Sequence, residues 1–232
     1  MESELNSATN AIIPALLIKN LSVRYGTKLV LKDVSLEIYD GDIVIITGKN
    51  GSGKSTLLNT VGRHINQYNG DIYANGINLA KSLPHNIYRH NIVYVPQGGL
   101  VINSLNVKQH LKLASGRLSN TIALSKIAQA YKEFPVLKSF SNKIAGNLSG
   151  GEKQILSFAC ASVMGGKLWM LDEPTSGISI ERVTFLSNFI KKMNKDHGVT
   201  FLIVEHNNLF INDLNARVIE LVEGVAVDKG HS

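Results

Sequence analysis

The sequence predicts an α/β protein with a mainly parallel sheet, and three observations lead there. Short apolar runs bounded by turn residues alternate with stretches of helical period. Two of the runs, 42–47 (DIVIIT) and 168–171 (LWML), are almost wholly apolar, as strands covered on both faces are. Residues 104–145 carry no strand run and place Leu105, Val107, Leu111 and Leu113 at helical spacing. That stretch reads as a helical lobe inserted between two halves of an α/β core.

The elements follow in order. Residues 1 to about 11 are mainly polar and small (Glu, Ser, Asn, Thr), and 1–12 reads as a flexible tail. Leu16-Leu17-Ile18, Leu21-Ser22-Val23 and Val34-Ser35-Leu36-Glu37-Ile38 read as strands. The run 42–47 is a buried strand leading directly into Gly48, and 54–64 reads as a helix. Residues 71–79 contain Asn75-Gly76, a strong hairpin signal. A short strand at 92–95 stops at Pro96. After the lobe come a helix beyond Gly150, the strand 168–171, a helix over 180–194, a strand over 199–204 and a closing hairpin over 216–227 around Glu223-Gly224. The expected division is 1–12 tail, 13–97 first part of the core, 98–149 helical subdomain and 150–232 second part of the core.

Composition narrows the class. The 232 residues are 44% hydrophobic and 18% charged, enough for a folded core and against a disordered chain. Cys160 is the one cysteine, so an internal disulfide is excluded. No apolar run approaches the roughly 18–20 residues of a membrane span. The opening MESE lacks the positive start of a secretory signal. A soluble intracellular protein is expected. The net charge of +6 admits nucleic acid or an anionic membrane as partner without choosing between them.

Three motifs carry chemistry. Gly48-Lys49-Asn50-Gly51-Ser52-Gly53-Lys54-Ser55 fits G-x-x-x-x-G-K-[ST] between a predicted strand and a predicted helix, the context that gives the pattern meaning. Its glycines let backbone N–H groups turn towards phosphate oxygens, and the helix start adds positive partial charge. Lys54 is placed to reach the β- and γ-phosphates and Ser55 to ligate Mg²⁺; Thr56 follows in the same turn. In Leu168-Trp169-Met170-Leu171-Asp172-Glu173 the apolar run carries Asp172 to the sheet edge, where it can bind Mg²⁺. Glu173 can orient or deprotonate an attacking water there. Leu148-Ser149-Gly150-Gly151-Glu152 makes a second anion-binding helix start.

In this order and spacing the motifs resemble those of the ATP-binding cassette (ABC) ATPases, over nearly the whole chain. Leu148 to Glu152 correspond to that family's signature, with Glu152 in place of the usual Gln. The resemblance implies a P-loop NTPase: a RecA-like core with a mainly parallel sheet, an N-terminal antiparallel β-subdomain and an inserted helical subdomain. It also implies roles for single residues. Tyr25, 23 residues before Gly48, would stack on adenine. Gln97 would sense Mg²⁺ and water and touch the membrane partner. His206 would contact the γ-phosphate. ATP and Mg²⁺ are the implied ligands. The signature would act in trans, completing the site of a second ATPase subunit, identical or different. Integral membrane permease subunits would complete the machine at the cytoplasmic face of a bacterial or archaeal membrane, with an external solute-binding protein as an indirect partner. No nucleic acid is expected.

A finer resemblance, to the ATPases of branched-chain amino acid and urea-type importers, rests on Leu83-Pro84-His85, Tyr94-Val95-Pro96-Gln97-Gly98, Leu105-Asn106-Val107 and Phe134-Pro135-Val136-Leu137-Lys138. Importers of this group usually pair two ATPases. Three positions depart from wider family patterns. Ile178-Ser179 stand where many relatives have Leu-Asp, Cys160 stands where Arg is usual, and Gly98-Gly99-Leu100 lacks the Arg that often follows Gln-Gly. Cys160 reads as a small buried hydrophobe with no redox role. Two other readings stay open: a soluble ABC ATPase of the iron–sulfur assembly type, and a nucleic-acid-linked ABC ATPase.

Overall fold

The structure is a computed structural model that describes residues 13–231; the expected tail, 1–12, lies outside the described residues. Among the described residues, ten strands form two sheets. The first is antiparallel, in the order β2-β1-β4-β5: β1 (Leu16–Tyr25), β2 (Lys28–Ile38), β4 (Tyr68–Ala74) and β5 (Ile77–Asn78). The second has six strands in the order β10-β9-β3-β8-β7-β6. Here β3 (Ile43–Thr47), β8 (Thr200–Val204), β7 (Leu168–Asp172), β6 (Ile92–Val95) and β9 (Arg217–Val222) run parallel, and β10 (Val225–His231) closes one edge as an antiparallel hairpin with β9.

Alternation along the parallel strands divides the core in two. Val44, Ile46, Leu168, Met170, Leu202 and Val204 face a cluster shared with the antiparallel sheet and with α1 (Lys54–Val61). Ile45, Trp169, Leu171, Phe201 and Ile203 face the opposite cluster, which holds α5 (Gly150–Met164), α6 (Ile180–His197) and the helical lobe. Both faces are covered, which is why the central positions of β3, β7 and β8 are apolar on either side and polar residues (Thr47, Asp172, Thr200) fall only at strand ends.

The lobe consists of α2 (Val107–Ala114), α3 (Asn120–Glu133) and α4 (Pro135–Ser139). Asn106 and Gln109 close a reciprocal capping box at the start of α2. Phe134, between α3 and α4, is buried with its ring centroid 4.9 Å from that of Phe189 on α6. Phe189 also meets Phe158 and Trp169, so one aromatic knot fixes the lobe to the core. No helix among the described residues is long and apolar enough to cross a membrane.

Details differ from the sequence reading. The runs at 16–18 and 21–23 belong to one strand, because the left-handed backbone of Asn20 (φ 49°) absorbs an irregularity in pairing without ending it. The helix read over 54–64 stops at Val61: Gly62 caps it and Arg63 turns to φ 64°. Arg63 is then buried, donating to the carbonyls of Ala80 and Ser82 and to the Tyr68 hydroxyl, which pins the 3₁₀ segment Leu79–Lys81 beside the sheet; a second 3₁₀ segment, Pro84–His90, follows. The helix read over 180–194 runs on to His197, where Gly198 ends it in a left-handed turn.

Cys160 is 3% exposed, and burial pushes its thiol up to about 12. The folded protein should resist an alkylating reagent at mildly alkaline pH and react fully in denaturant; rapid labelling of the native state would contradict the packing described.

Candidate nucleotide site

The four strands β3, β8, β7 and β6 lie side by side and end at one edge. The chain leaves β3 into the phosphate loop, β8 into Glu205-His206, β7 into Asp172-Glu173 and β6 into Pro96-Gln97. Residues far apart in sequence therefore meet at carboxyl ends of adjacent parallel strands, where ligands of open α/β sheets bind. A cavity of about 510 Å³ opens there, lined by Asn50, Gly51, Gly53, Lys54, Ser55, Thr56, Gln97, Glu173 and His206, with Val30 from β2.

The loop's shape requires glycine. Gly48 has φ 139°, and a Cβ there would sit 2.5 Å from the Leu221 carbonyl oxygen and 2.8 Å from Ser52 Oγ. Gly53 has φ 108° and is the N-cap of α1; its Cβ would lie 2.7 Å from a methyl of Leu31. The first turn of α1 holds no acidic residue, and no side chain caps it. That end is left to an anion. Lys54 is almost buried, with Nζ 2.8 Å from the Gly48 carbonyl oxygen and 3.2 Å from that of Lys49, so its ammonium is held across the loop. Ser52 Oγ is buried with no hydrogen-bond partner. A built but unsatisfied hydroxyl inside the loop fits a site that binds phosphate oxygens.

Ser55 Oγ donates to Asp172 Oδ1 at 3.2 Å. Burial raises the Asp172 pKa, against the lowering effects of Ser55, Tyr94 and Lys54. A cation at this point would offset the cost of the buried carboxylate. Hydroxyl and carboxylate are hard oxygen donors, and the described residues contain no cluster of three or more His, Cys, Asp or Glu able to cage a metal. This donor set suits Mg²⁺, which keeps waters and substrate phosphates among its ligands.

Glu173 presents its two oxygens to two partners. Oε2 accepts from Gln97 Nε2 at 2.7 Å, and Oε1 lies 3.9 Å from His206 Nδ1. Its backbone adopts φ 48°, uncommon for a residue with a side chain, while its N–H stays bonded to the Val204 carbonyl at 2.9 Å. Strain of this kind gathers where a side chain must be aimed.

Other sequence-predicted residues lie outside the cavity wall. Tyr25 is at the end of β1, about half exposed, and the hairpin sends Val30 rather than Tyr25 to the cavity. Leu148 to Glu152 are likewise absent from the wall. Ser149 is the N-cap of α5: its hydroxyl accepts from the Glu152 N–H and its own N–H donates to the Glu152 carboxylate. The latter hydrogen bond is the main reason the Glu152 pKa is lowered. Glu at the fifth signature position thus has a local task, closing a capping box.

Two residues of this site carry no motif in the sequence. Glu205 is fully buried and accepts a short hydrogen bond from the Thr175 hydroxyl and a second from the His206 N–H at 3.2 Å. It joins the segment after β7 to the segment after β8. The Tyr94 hydroxyl, 3.2 Å from Asn59 Oδ1, also lies beside Asp172. A polar residue at a strand end gives little sequence warning of burial; the pairing of β7 with β8 creates it.

A phosphate loop at a parallel sheet edge, with an acidic pair on the next strand but one, defines a nucleoside-triphosphate-hydrolysing P-loop protein. Comparison with known proteins narrows the class. The ABC transporter family profile matches residues 31–176. The probable branched-chain amino acid transport ATP-binding protein LivF of Archaeoglobus fulgidus is 33% identical over 204 residues, covering 88% of this chain and 86% of that protein. The high-affinity branched-chain amino acid transport ATP-binding protein BraG of Pseudomonas aeruginosa is 33% identical over 187 residues, covering 81% and 80%. Among solved structures, a dimeric ATP-binding cassette in a post-hydrolysis state with ADP and phosphate matches at a TM-score of 0.81 and 24% identity, covering 93% of this chain and 98% of that one. The chain belongs to the ATP-binding subunits of the ABC transporter family and is an ATPase of that class.

Two outcomes are expected. Gly48→Ala should destabilise the fold by about 2 kcal/mol and impair nucleotide binding, since backbone conformation and close contact both oppose a Cβ; unchanged thermal unfolding would contradict the loop geometry. Burial raises the Glu205 pKa. A raised folded-state pKa favours folding when the group is protonated, so that contribution fades as pH rises from the ordinary carboxylate range of about 4.3 towards neutrality. Glu205→Gln, which keeps a carbonyl for Thr175, should therefore gain thermal stability relative to the parent as pH rises through this window; parallel melting curves would refute it.

Proposed function

We propose that the chain is the ATP-hydrolysing subunit of an importer of amino acids or related small polar solutes, working as a dimer on a membrane permease. One observation carries the catalytic part: Gln97 and His206 flank the Glu173 carboxylate at the mouth of the cavity whose floor is the phosphate loop. Lys54 and the loop N–H groups hold the β- and γ-phosphates of ATP. Glu173 takes a proton from the attacking water as its oxygen bonds to the γ-phosphorus. The bond from that phosphorus to the β–γ bridging oxygen breaks, giving ADP and phosphate. His206 steadies the γ-phosphate side, and Gln97 holds Glu173 in aim. Ser55 and Asp172, with Gln97 nearby, would hold Mg²⁺, whose charge neutralises the phosphates.

Leu148, Ser149, Gly150, Gly151 and Glu152 stand apart from this cavity, which supports a site finished by the signature of a second ATPase subunit. Tyr25 is exposed enough to meet an adenine ring. A groove of about 790 Å³ between lobe and core, lined by Val93, Leu100, Ile102, Leu113, Leu118 and Met164 among others, follows directly from the Gln97 segment. It is the proposed seat of a permease segment, coupling the γ-phosphate site to the membrane. The names of the LivF and BraG relatives support amino acids as the solute class.

Lys54→Ala should weaken ATP binding by about a hundredfold, and unchanged affinity would remove the loop from the site. Glu173→Gln should bind ATP normally and slow turnover by about 10²–10⁴-fold, accumulating dimer. A pull-down of the Glu173→Gln variant from solubilised membranes with ATP and Mg²⁺ tests the transport assignment. Recovery of polytopic permeases is expected; recovery of soluble assembly proteins alone would overturn it.

A further inference from the structure

Between Asp71 and Glu133 the sequence has no acidic residue, yet it holds seven basic ones: Lys81, Arg89, Lys108, Lys112, Arg117, Lys126 and Lys132. That excess is larger than the net charge of the whole chain, +6. Soluble surfaces normally intersperse the two signs, and this stretch departs from that pattern.

The fold gathers part of it at one corner beside the groove. Lys108 and Lys112 lie one turn apart on the exposed side of α2. In the turn after α2, the Arg117 guanidinium stacks on Tyr88, 2.9 Å from the ring centroid, and reaches the His85 carbonyl at 3.4 Å. Arg89 lies 5.9 Å from the same centroid. Among the described residues no carboxylate pairs with Arg89, Lys108, Lys112 or Arg117. The same segments carry exposed apolar side chains: Leu113, 62% exposed, lines the groove with Tyr88 and Arg117, and Leu83 (53%), Ile122 (51%) and Leu124 (70%) stand open on residues 83–89 and the start of α3. Unpaired cations, exposed aliphatic groups and a tyrosine make a surface complementary to anionic lipid headgroups above an apolar interior.

We infer that this corner, formed by residues 83–89, α2, the turn after it and the start of α3, lies directly on an anionic lipid surface. The subunit then touches the bilayer itself as well as a permease. Its orientation towards the membrane rests on the groove being the permease seat, because the same residues border both; the lipid contact needs no permease.

The test is flotation of the full chain with vesicles of phosphatidylcholine alone and of phosphatidylcholine with phosphatidylglycerol. Binding is expected only to the anionic vesicles, weakening as salt is raised. The triple variant Arg89→Glu, Lys108→Glu, Lys112→Glu should lower the partition coefficient by about a hundredfold or more, at about fivefold per basic residue. The triple Gln variant should show an intermediate loss. Both should keep their ATPase rate in solution, which certifies their fold. Leu113→Ser with Leu124→Ser should remove the binding that survives high salt. The inference fails if active protein ignores anionic vesicles at low salt, if the charge-reversed variant binds them equally, or if short duplex DNA displaces the vesicles at matched phosphate concentration. Permease-free vesicles report on lipid alone, and the permease pull-down reports on the groove, so the two readings fail separately.

Discussion

Hydrogen bonding among four neighbouring parallel strands, in the order β3-β8-β7-β6, is the constraint on which the candidate site depends. Each strand delivers one chemical part as it ends, and the register of the ladder sets their spacing. Asp172 is paired with Val204, so the acidic pair after β7 and the Glu205-His206 pair after β8 emerge at the same height. The ladder even extends past the strand ends, through Glu173 N–H to Val204 and Glu205 N–H to Ile46. A loop scaffold would hold the same groups less firmly, because loops lack a repeating set of backbone bonds.

Electrostatics at this edge are graded by burial. Lys54 is nearly buried and braced on loop carbonyls, whereas Glu173 and His206 stay accessible to a ligand. Beneath them Glu205 forms a hidden polar layer with Thr175. Such a carboxylate is costly to bury and is tolerated because both its oxygens accept hydrogen bonds. It ties two loops together below the reacting groups, and the backbone after β7 keeps its unusual turn at Glu173 above that tie.

How much of this was legible in the sequence depends on how local each signal is. The phosphate loop is contiguous, and its glycines report their own backbone needs. The apolar runs at 42–47 and 168–171 announced strands covered on both faces because side-chain pattern and burial coincide there. The 3₁₀ segment at 79–81 carries no periodic signal; it is held by Arg63, a contact from outside the segment. Glu205 looked like an ordinary polar residue at a strand end, since only the pairing of β7 with β8 buries it. Tyr25 has no local signal of its own beyond its distance from Gly48, and the side chain from that hairpin in the cavity wall is Val30.

The strand order also governs when the site can exist. β3 is made early, but both its sheet neighbours, β8 and β9, lie beyond residue 199. At synthesis rates of about 5–20 residues per second, roughly 8–30 s separate the emergence of β3 from that of its first neighbour. During that interval an apolar strand waits without hydrogen-bonding partners, and the non-local closure that follows is slow by nature. A nascent chain halted before residue 200 holds every residue of the phosphate loop and lacks the strands that shape it. Nucleotide therefore cannot template the early steps of folding, and protection of the unfinished chain falls to whatever shields β3 at the ribosome.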